Sequence, residues 1–254
     1  MRELALFAGA GGGLLGTKLL GFKHVGYVEW NDYCQRVIAA RIRDGLLDNA
    51  PIFGDIDQFI SEGYAESYQG MVDVVTGGFP CQPHSVAGKK LAGNDSRDRW
   101  PSTREVIRQV RPKFCLLENV PGIVSNGYIS QILGDLAEMG FDAEWGCISA
   151  GILGASHLRD RWWVLAYSSS LRQQGPWESK QSFDPASHKN WEASGIINAF
   201  RKGTLPYMCR EHHGVADGME QCAALGNGQV PVVAATAWSI LSERASNNYA
   251  SAQG

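Results

Sequence analysis

A cysteine set in Gly77-Gly78-Phe79-Pro80-Cys81-Gln82-Pro83-His84-Ser85 is the strongest chemical signal in the chain. The stretch follows Met71-Val72-Asp73-Val74-Val75-Thr76, which reads as a buried strand. Two glycines end that strand and allow a sharp loop, and prolines on either side of Cys81 stiffen it. A free cysteine is most often a small buried residue. A core cysteine needs neither proline, so the setting favours a nucleophile held at a strand's C-terminal edge, where open α/β sheets place their ligands.

Other residues could share that edge. Phe114-Cys115-Leu116-Leu117 reads as a second buried strand that delivers Glu118-Asn119 at its end, so a nucleophile and an acid converge in a parallel sheet. Arg159 and Arg161 precede an apolar strand over 162–166, and alternation puts both on one face. Near the start, Leu4-Ala5-Leu6-Phe7 runs through Ala8-Gly9-Ala10-Gly11-Gly12-Gly13 into a helix reaching about Leu20. Such a turn admits a ligand to the backbone, and the helix N-terminus favours negative charge. A strand over 24–28 ends at Glu29, placed either to accept ribose hydroxyls or simply to sit exposed at a helix start. Asp55 suits the N-cap of a helix over 56–62.

The elements that would position these groups alternate between strands and helices, which indicates an α/β fold. Helices are expected over 31–43, from Trp100 to about Val110 and over 128–140, where Gly140 is a good cap, with a strand over 143–149. A last apolar helix opens at Pro231 and reaches about Leu241, followed from Ser242 by a polar, frayed tail. Residues 168–206 change character, with Ser168-Ser169-Ser170, Gln173-Gln174, Pro176, Pro185, many polar residues and isolated aromatics that include Trp177, Trp191 and Phe200. At 254 residues the chain is one large domain, or one with a small appendage.

Composition narrows the function. No apolar run reaches membrane-spanning length and no secretory signal is present. Six scattered cysteines without a Cys-x-x-Cys pair argue against a zinc site or a disulfide framework, and for a reducing cytoplasm. Net charge is −3, which makes no overall case for nucleic acid. Residues 86–113 carry eight cations against three acids, a local +5 that suits either phosphate binding or a solvated helix face.

Gly78-Phe79-Pro80-Cys81-Gln82 resembles the catalytic motif of the DNA (cytosine-5)-methyltransferases. Four further stretches match in order: the glycine loop from Phe7, Glu118-Asn119-Val120, Arg159-x-Arg161, and Leu225-Gly226-Asn227-Gly228-Gln229-Val230-Pro231. The resemblance implies a Rossmann-like sheet flanked by helices that uses S-adenosylmethionine. It divides the chain into a catalytic domain of 1–167 plus 226–254 and a small loop-rich target-recognition region over 168–225.

Residue by residue, the resemblance implies that Cys81 adds to carbon 6 of a cytosine flipped out of duplex DNA, giving a methyl group to carbon 5. Glu118 would hold the base, protonated and donating to ring nitrogen 3, while Arg159 and Arg161 would grip the target nucleotide and could favour the Cys81 thiolate. Phe7, Ala8, Gly9, Gly11, Gly12, Glu29, Trp30, Asp55, Ile56, Pro80, Asn227, Gln229 and Val230 would hold the cofactor, with Trp30 stacked on adenine. Gln82, Ser85, Lys89, Lys90, Arg97, Asn119 and Arg210 would contact DNA, and residues 85–97 would form a lid over the base. The family usually has proline and glutamine where this chain has Ser156 and His157, which leaves the role of His157 open. A short recognition region implies a short recognition sequence. A monomer without metal, in the cytoplasm of a bacterium or phage-infected host, is expected.

Three rival readings remain: the same chemistry on RNA, a cysteine hydrolase pairing Cys81 with His84 or His157, and a non-catalytic or altered-substrate DNA-binding member of the fold. The hydrolase leaves Glu118, the glycine loop and the last motif unexplained.

Overall fold

The computed structural model describes residues 1–81, 98–153, 159–174, 183 and 228–251. The chain alternates as expected. Strand β1 (Arg2–Leu6) is followed by α1 (Gly12–Leu19), β2 (Lys23–Val28), α2 (Asp32–Arg43) and a short β3 (Ile52–Phe53). Helices α3 (Ile56–Ser61) and α4 (Tyr64–Ser67) lead to β4 (Val74–Gly77). Then come α5 (Trp100–Val110), β5 (Phe114–Asn119), α6 (Gly122–Ser125), α7 (Tyr128–Glu138), β6 (Phe141–Ser149), β7 (Asp160–Ser168) and the last helix α8 (Pro231–Ser251).

The strands form one seven-stranded sheet in the order β3-β2-β1-β4-β5-β7-β6. From β3 to β5 all neighbours are parallel, whereas β7 runs antiparallel to both β5 and β6. Alternation along the central strands feeds two apolar layers. Cys115 and Leu117 point to the side covered by α3 to α7, while Phe114 and Leu116 point to the side where Trp238 and the rest of α8 pack. Ala5 and Tyr27 face Leu14 of α1 and Ile38 of α2 on that second side. Every residue of β5 is buried, as a strand covered on both faces must be.

Several boundaries differ from those read off the sequence. The strand expected over 71–76 begins only at Val74, because Asp73 accepts hydrogen bonds from Arg2 and Met71 is exposed. Strand β5 runs on through Glu118 and Asn119, and β6 and β7 are longer than expected because they pair with each other over nine residue pairs. The polar stretch expected to fray from Ser242 is helical as far as Ser251. In this part of α8, Leu241, Ser242 and Ala245 are buried and Asn248 donates to Glu144 of β6 at 2.7 Å. A hydropathy reading misses this because small and hydroxylated residues fill the close approach to the sheet.

Among the described residues of 168–225, Leu171 and Phe183 are buried in the cluster that surrounds α8, and the Phe183 N–H donates to Ser239 at 2.7 Å. No helix among the described residues is long and apolar enough to cross a membrane.

Helices α1 and α8 approach closely through Gly16. A β-carbon there would lie 2.5 Å from the Pro231 carbonyl oxygen and 2.8 Å from Ala234 Cβ. Gly16→Val is therefore expected to cost about 1–3 kcal/mol, read as a lower urea midpoint at unchanged slope. A midpoint equal to wild type would show that the two helices separate without penalty.

Candidate active site

The parallel pairing of β4 with β5, with Gly77 opposite Leu117, brings the cysteine loop and Glu118 to one edge. Asn119 fastens them together. Its amide donates to the Phe79 carbonyl at 2.9 Å, and its own oxygen accepts the Val120 N–H at 2.8 Å. Both polar groups of this buried side chain thus make contacts within the protein, and Asn119 positions the cysteine loop here.

Arg161 reaches the same edge for a reason the sequence did not disclose. Because β7 is antiparallel to β5, the start of β7 lies beside the end of β5. Arg161 Nε lies 2.8 Å from Glu118 Oε1, and Arg159 Nη2 donates to the Gly228 carbonyl at 2.5 Å. The alternation argument fails for Arg159, which stands before the strand with φ 32°, yet its charge still acts on Glu118. Gln229 Nε2 donates to the second oxygen, Glu118 Oε2, at 3.3 Å. Burial raises the Glu118 carboxyl above the usual carboxylate range, opposed by Arg161, Gln229 and Arg159.

Cys81 is buried beside Asp98, with which it forms an isolated antiparallel bridge. Asp98 accepts the Trp100 N–H at 3.0 Å and the Tyr128 hydroxyl. The Arg99 N–H donates to the Pro80 carbonyl at 3.0 Å. The thiol is pushed up to about 12, first by burial and then by the Asp98 charge. Arg161 pairs with Glu118 and Arg159 donates to the Gly228 carbonyl. Asp98 and Tyr128, which sequence reasoning missed, are 30 residues apart and carry no motif. Only the packing of α7 against the cysteine loop unites them.

Beside Glu118 opens a cavity lined by Leu6, Phe7, Ala8 and Gly9, by Thr76, Gly77 and Gly78, and by Gly228 and Gln229. The loop from β1 to α1 is held open by left-handed residues at Phe7 (φ 51°), Gly9 (φ 54°) and Gly11 (φ 91°). Nothing stands within 4 Å of a β-carbon built on Gly9, so the backbone there is open to a ligand. Gly12 and Gly13 have another use. Built β-carbons would lie 2.1 Å from the Gln229 carbonyl oxygen and 2.1 Å from Gln229 Oε1, so these glycines make room for the segment before α8.

Glu29 accepts the Gly9 N–H at 2.7 Å and the Asn31 N–H at 2.9 Å, which ties the glycine loop to the end of β2. Each carboxylate oxygen keeps a lone pair for a further donor. Trp30, 74% exposed, offers an aromatic face close by. Asp55 caps α3 through one oxygen, accepting from Asp57 and Gln58. The Ile56 side chain is buried in the core, which leaves only its first-turn N–H for a ligand. Pro80 is exposed and Val230 packs beside α8 in the core. A carboxylate at the β2 tip, an unstacked indole and an open glycine backbone together suit a nucleoside with ribose hydroxyls.

The basic stretch is less free than its count suggests. Arg99 pairs with Asp57, Arg104 with Asp135 and Glu138, Arg108 with Glu105, and Lys113 with Asp73. Gln82, His84, Ser85, Lys89, Lys90, Arg97, His157, Arg210 and Asn227 lie outside the described residues, as does the expected lid over 85–97. Among the described residues, no group of three or more His, Cys, Asp and Glu side chains is placed to hold a metal ion.

Fold and site together define an α/β protein with a Rossmann-like sheet, a cysteine loop and a buried acid at one edge, and a glycine-lined cavity beside that acid. Residues 1–217 match the C-5 cytosine-specific DNA methylase family, and the chain belongs to that family. It is 32% identical over 206 residues to the type II methyltransferase M.NgoMIV of Neisseria gonorrhoeae, covering 76% of this chain and 63% of that protein. It is 33% identical over 180 residues to M.NaeI of Lentzea aerocolonigenes, covering 70% of this chain and 42% of that protein. The chain thus spans less than two thirds of these relatives' length. Among solved structures, a mutant of DNMT2 from Spodoptera frugiperda superposes with a TM-score of 0.55 at 22% identity, covering 70% of this chain and 52% of that one, a likeness of fold.

Replacing Asp98 by Asn removes one of the two causes that hold the Cys81 thiol up. The thiol is expected to titrate below its present value of about 12, seen as faster iodoacetamide alkylation of the Cys81 peptide at a fixed mildly alkaline pH. An unchanged rate would assign the whole effect to burial.

Proposed function

We propose that this chain transfers a methyl group from S-adenosylmethionine to carbon 5 of cytosine in duplex DNA. One observation carries the reading. The loop that carries Cys81 follows β4, the buried Glu118–Arg161 pair stands at the end of the neighbouring β5, and the cavity lined by Gly77, Gly78 and Glu118 opens at that same edge of the sheet. A nucleophile, an acid and a nucleoside site within one edge are the parts this reaction needs.

Carbon 5 of cytosine is too poor a nucleophile to accept a methyl group unaided. The Cys81 thiolate forms a bond to carbon 6 and converts the ring to an enamine. Glu118, protonated, donates to ring nitrogen 3 and stabilises the charge that develops there. When bound, S-adenosylmethionine supplies the sulfonium methyl that the activated carbon 5 accepts. Phe7, Ala8, Gly9 and Gly11 would face it through their backbone, Glu29 its ribose, Trp30 its adenine, and Asp55 and the Ile56 N–H the adenine edge. A base, for which a water molecule serves, then takes the carbon 5 proton, which breaks the bond between Cys81 and carbon 6 and returns its electron pair to the sulfur.

A stacked base lies out of reach of such a pocket, so the cytosine must leave the duplex at a cost of a few kcal/mol. Gln82, Ser85, Lys89, Lys90, Arg97 and Arg210 are proposed to hold the DNA backbone and the vacated site.

A second reading, DNA binding without turnover, is favoured by one observation: Cys81 is buried beside the carboxylate of Asp98, surroundings that push its thiol up. Turnover separates the two. Incubating the protein with duplex DNA and methyl-labelled S-adenosylmethionine is expected to label 5-methylcytosine, with RNA unlabelled. Cys81→Ala should abolish the label while DNA binding persists, and Glu118→Gln should lower the single-turnover rate far more than cofactor affinity. Cofactor binding without any labelled nucleoside would support the second reading.

A further inference from the structure

Glu118 has two oxygens, and the protein holds them by different means. Arg161 takes Oε1 at 2.8 Å from β7, a charge-assisted contact. Oε2 is held by Gln229, a neutral amide from the segment before α8, at 3.3 Å. The orientation of that amide is settled by its neighbours. Glu118 accepts, so Nε2 must face it, and Oε1 is left against Gly13, where a β-carbon would approach within 2.1 Å. On the other side, a β-carbon on Gly78 would lie 2.9 Å from Gln229 Nε2 and 2.7 Å from Glu118 Oε2. The Gln229 backbone is held as well, its carbonyl oxygen filling the space a Gly12 side chain would need.

Gly13 at the start of α1 and Gly78 of the cysteine loop therefore leave one slot, and the Gln229 side chain fills it. The same side chain lines the cavity that the glycine loop forms. We propose that Gln229 is a positioning residue for Glu118: clamped by the glycine loop, it holds the oxygen that Arg161 does not, and so ties the aim and charge of that carboxyl to the packing of the loop. A role in cofactor contact alone does not account for its bond to Glu118.

The consequence has a definite sign. An N–H donated to a carboxylate favours the charged form, as do Arg161 and Arg159, the charged groups that act on Glu118 among the described residues. For Glu118 to donate to a base, the carboxyl has to be protonated and the donating oxygen released from its protein partner. The longer, neutral contact to Gln229 is the weaker of the two holds. Movement of the glycine loop would act on Glu118 through it. This rests on the proposed reaction only in taking Glu118 as the acid that meets the base.

The test reads Glu118 directly. Protein carrying glutamate labelled with carbon-13 at the side-chain carboxyl is titrated by NMR, with Glu118→Gln assigning the signal. In Gln229→Met, which keeps the length and loses the donor, the Glu118 midpoint is expected to rise by about half to one pH unit, the size of one neutral hydrogen bond to a carboxylate. Gly13→Ala, which displaces the amide without touching Glu118, is expected to raise it in the same direction. An unchanged midpoint in folded Gln229→Met would overturn the proposal and leave Gln229 a packing residue. The titration needs no turnover. A shifted midpoint in a protein whose wild type labels no cytosine would keep this inference and sink the proposed function.

Discussion

The buried pair of Glu118 and Arg161 is the constraint on which the arrangement of the site depends. A carboxylate at the end of a strand covered on both faces loses much of its hydration, and a lone charge there costs several kcal/mol. Arg161 at 2.8 Å and Gln229 at 3.3 Å replace part of the lost water. Removing one partner from such a pair typically costs about 3–5 kcal/mol, because the other is left buried and unpaired. The requirement reaches into topology. An arginine can meet the end of β5 from the beginning of a strand only if that strand runs antiparallel to it, as β7 does.

A second constraint joins the two ends of the chain. Gly12, Gly13 and Gly16 of α1 receive Gln229, Pro231 and Ala234 from the start of α8. Small residues here serve close approach of two backbone segments as much as ligand access. Beneath the same cavity, Thr76 donates to the fully buried Glu3 at 2.6 Å, and Glu3 lies 3.4 Å from His24. A polar network thus runs across β4, β1 and β2 beside the site, and its hydrogen bond holds Thr76 near the end of β4.

The cysteine loop shows how two neighbouring needs compete. Asn119 and the bridge from Cys81 to Asp98 hold the loop at the sheet edge, and that order buries the thiol next to a carboxylate. Order and reactivity pull in opposite directions here. A thiol pushed up to about 12 is well placed and poorly ionised. Access of a substrate base to this position would change both the burial and the reach of the Asp98 charge.

The order of strands and helices, the position of Cys81 after β4 and of Glu118 at the tip of β5, and the glycine loop after β1 were all legible in the sequence. Each depends on local rules: β-branched runs make strands, glycines end them, and side-chain alternation decides which face is buried. The cap at Asp55 was legible for the same reason. What tertiary structure alone decided was direction and partnership. The antiparallel course of β7, the use of Gly12 and Gly13 by Gln229, the commitment of Asn119 to Phe79, the pairing of Asp98 with Tyr128, and the ordered end of α8 all link residues far apart in the chain. Such contacts depend on which backbone segments come within hydrogen-bonding reach once both faces of the sheet are covered, and no local pattern encodes that distance.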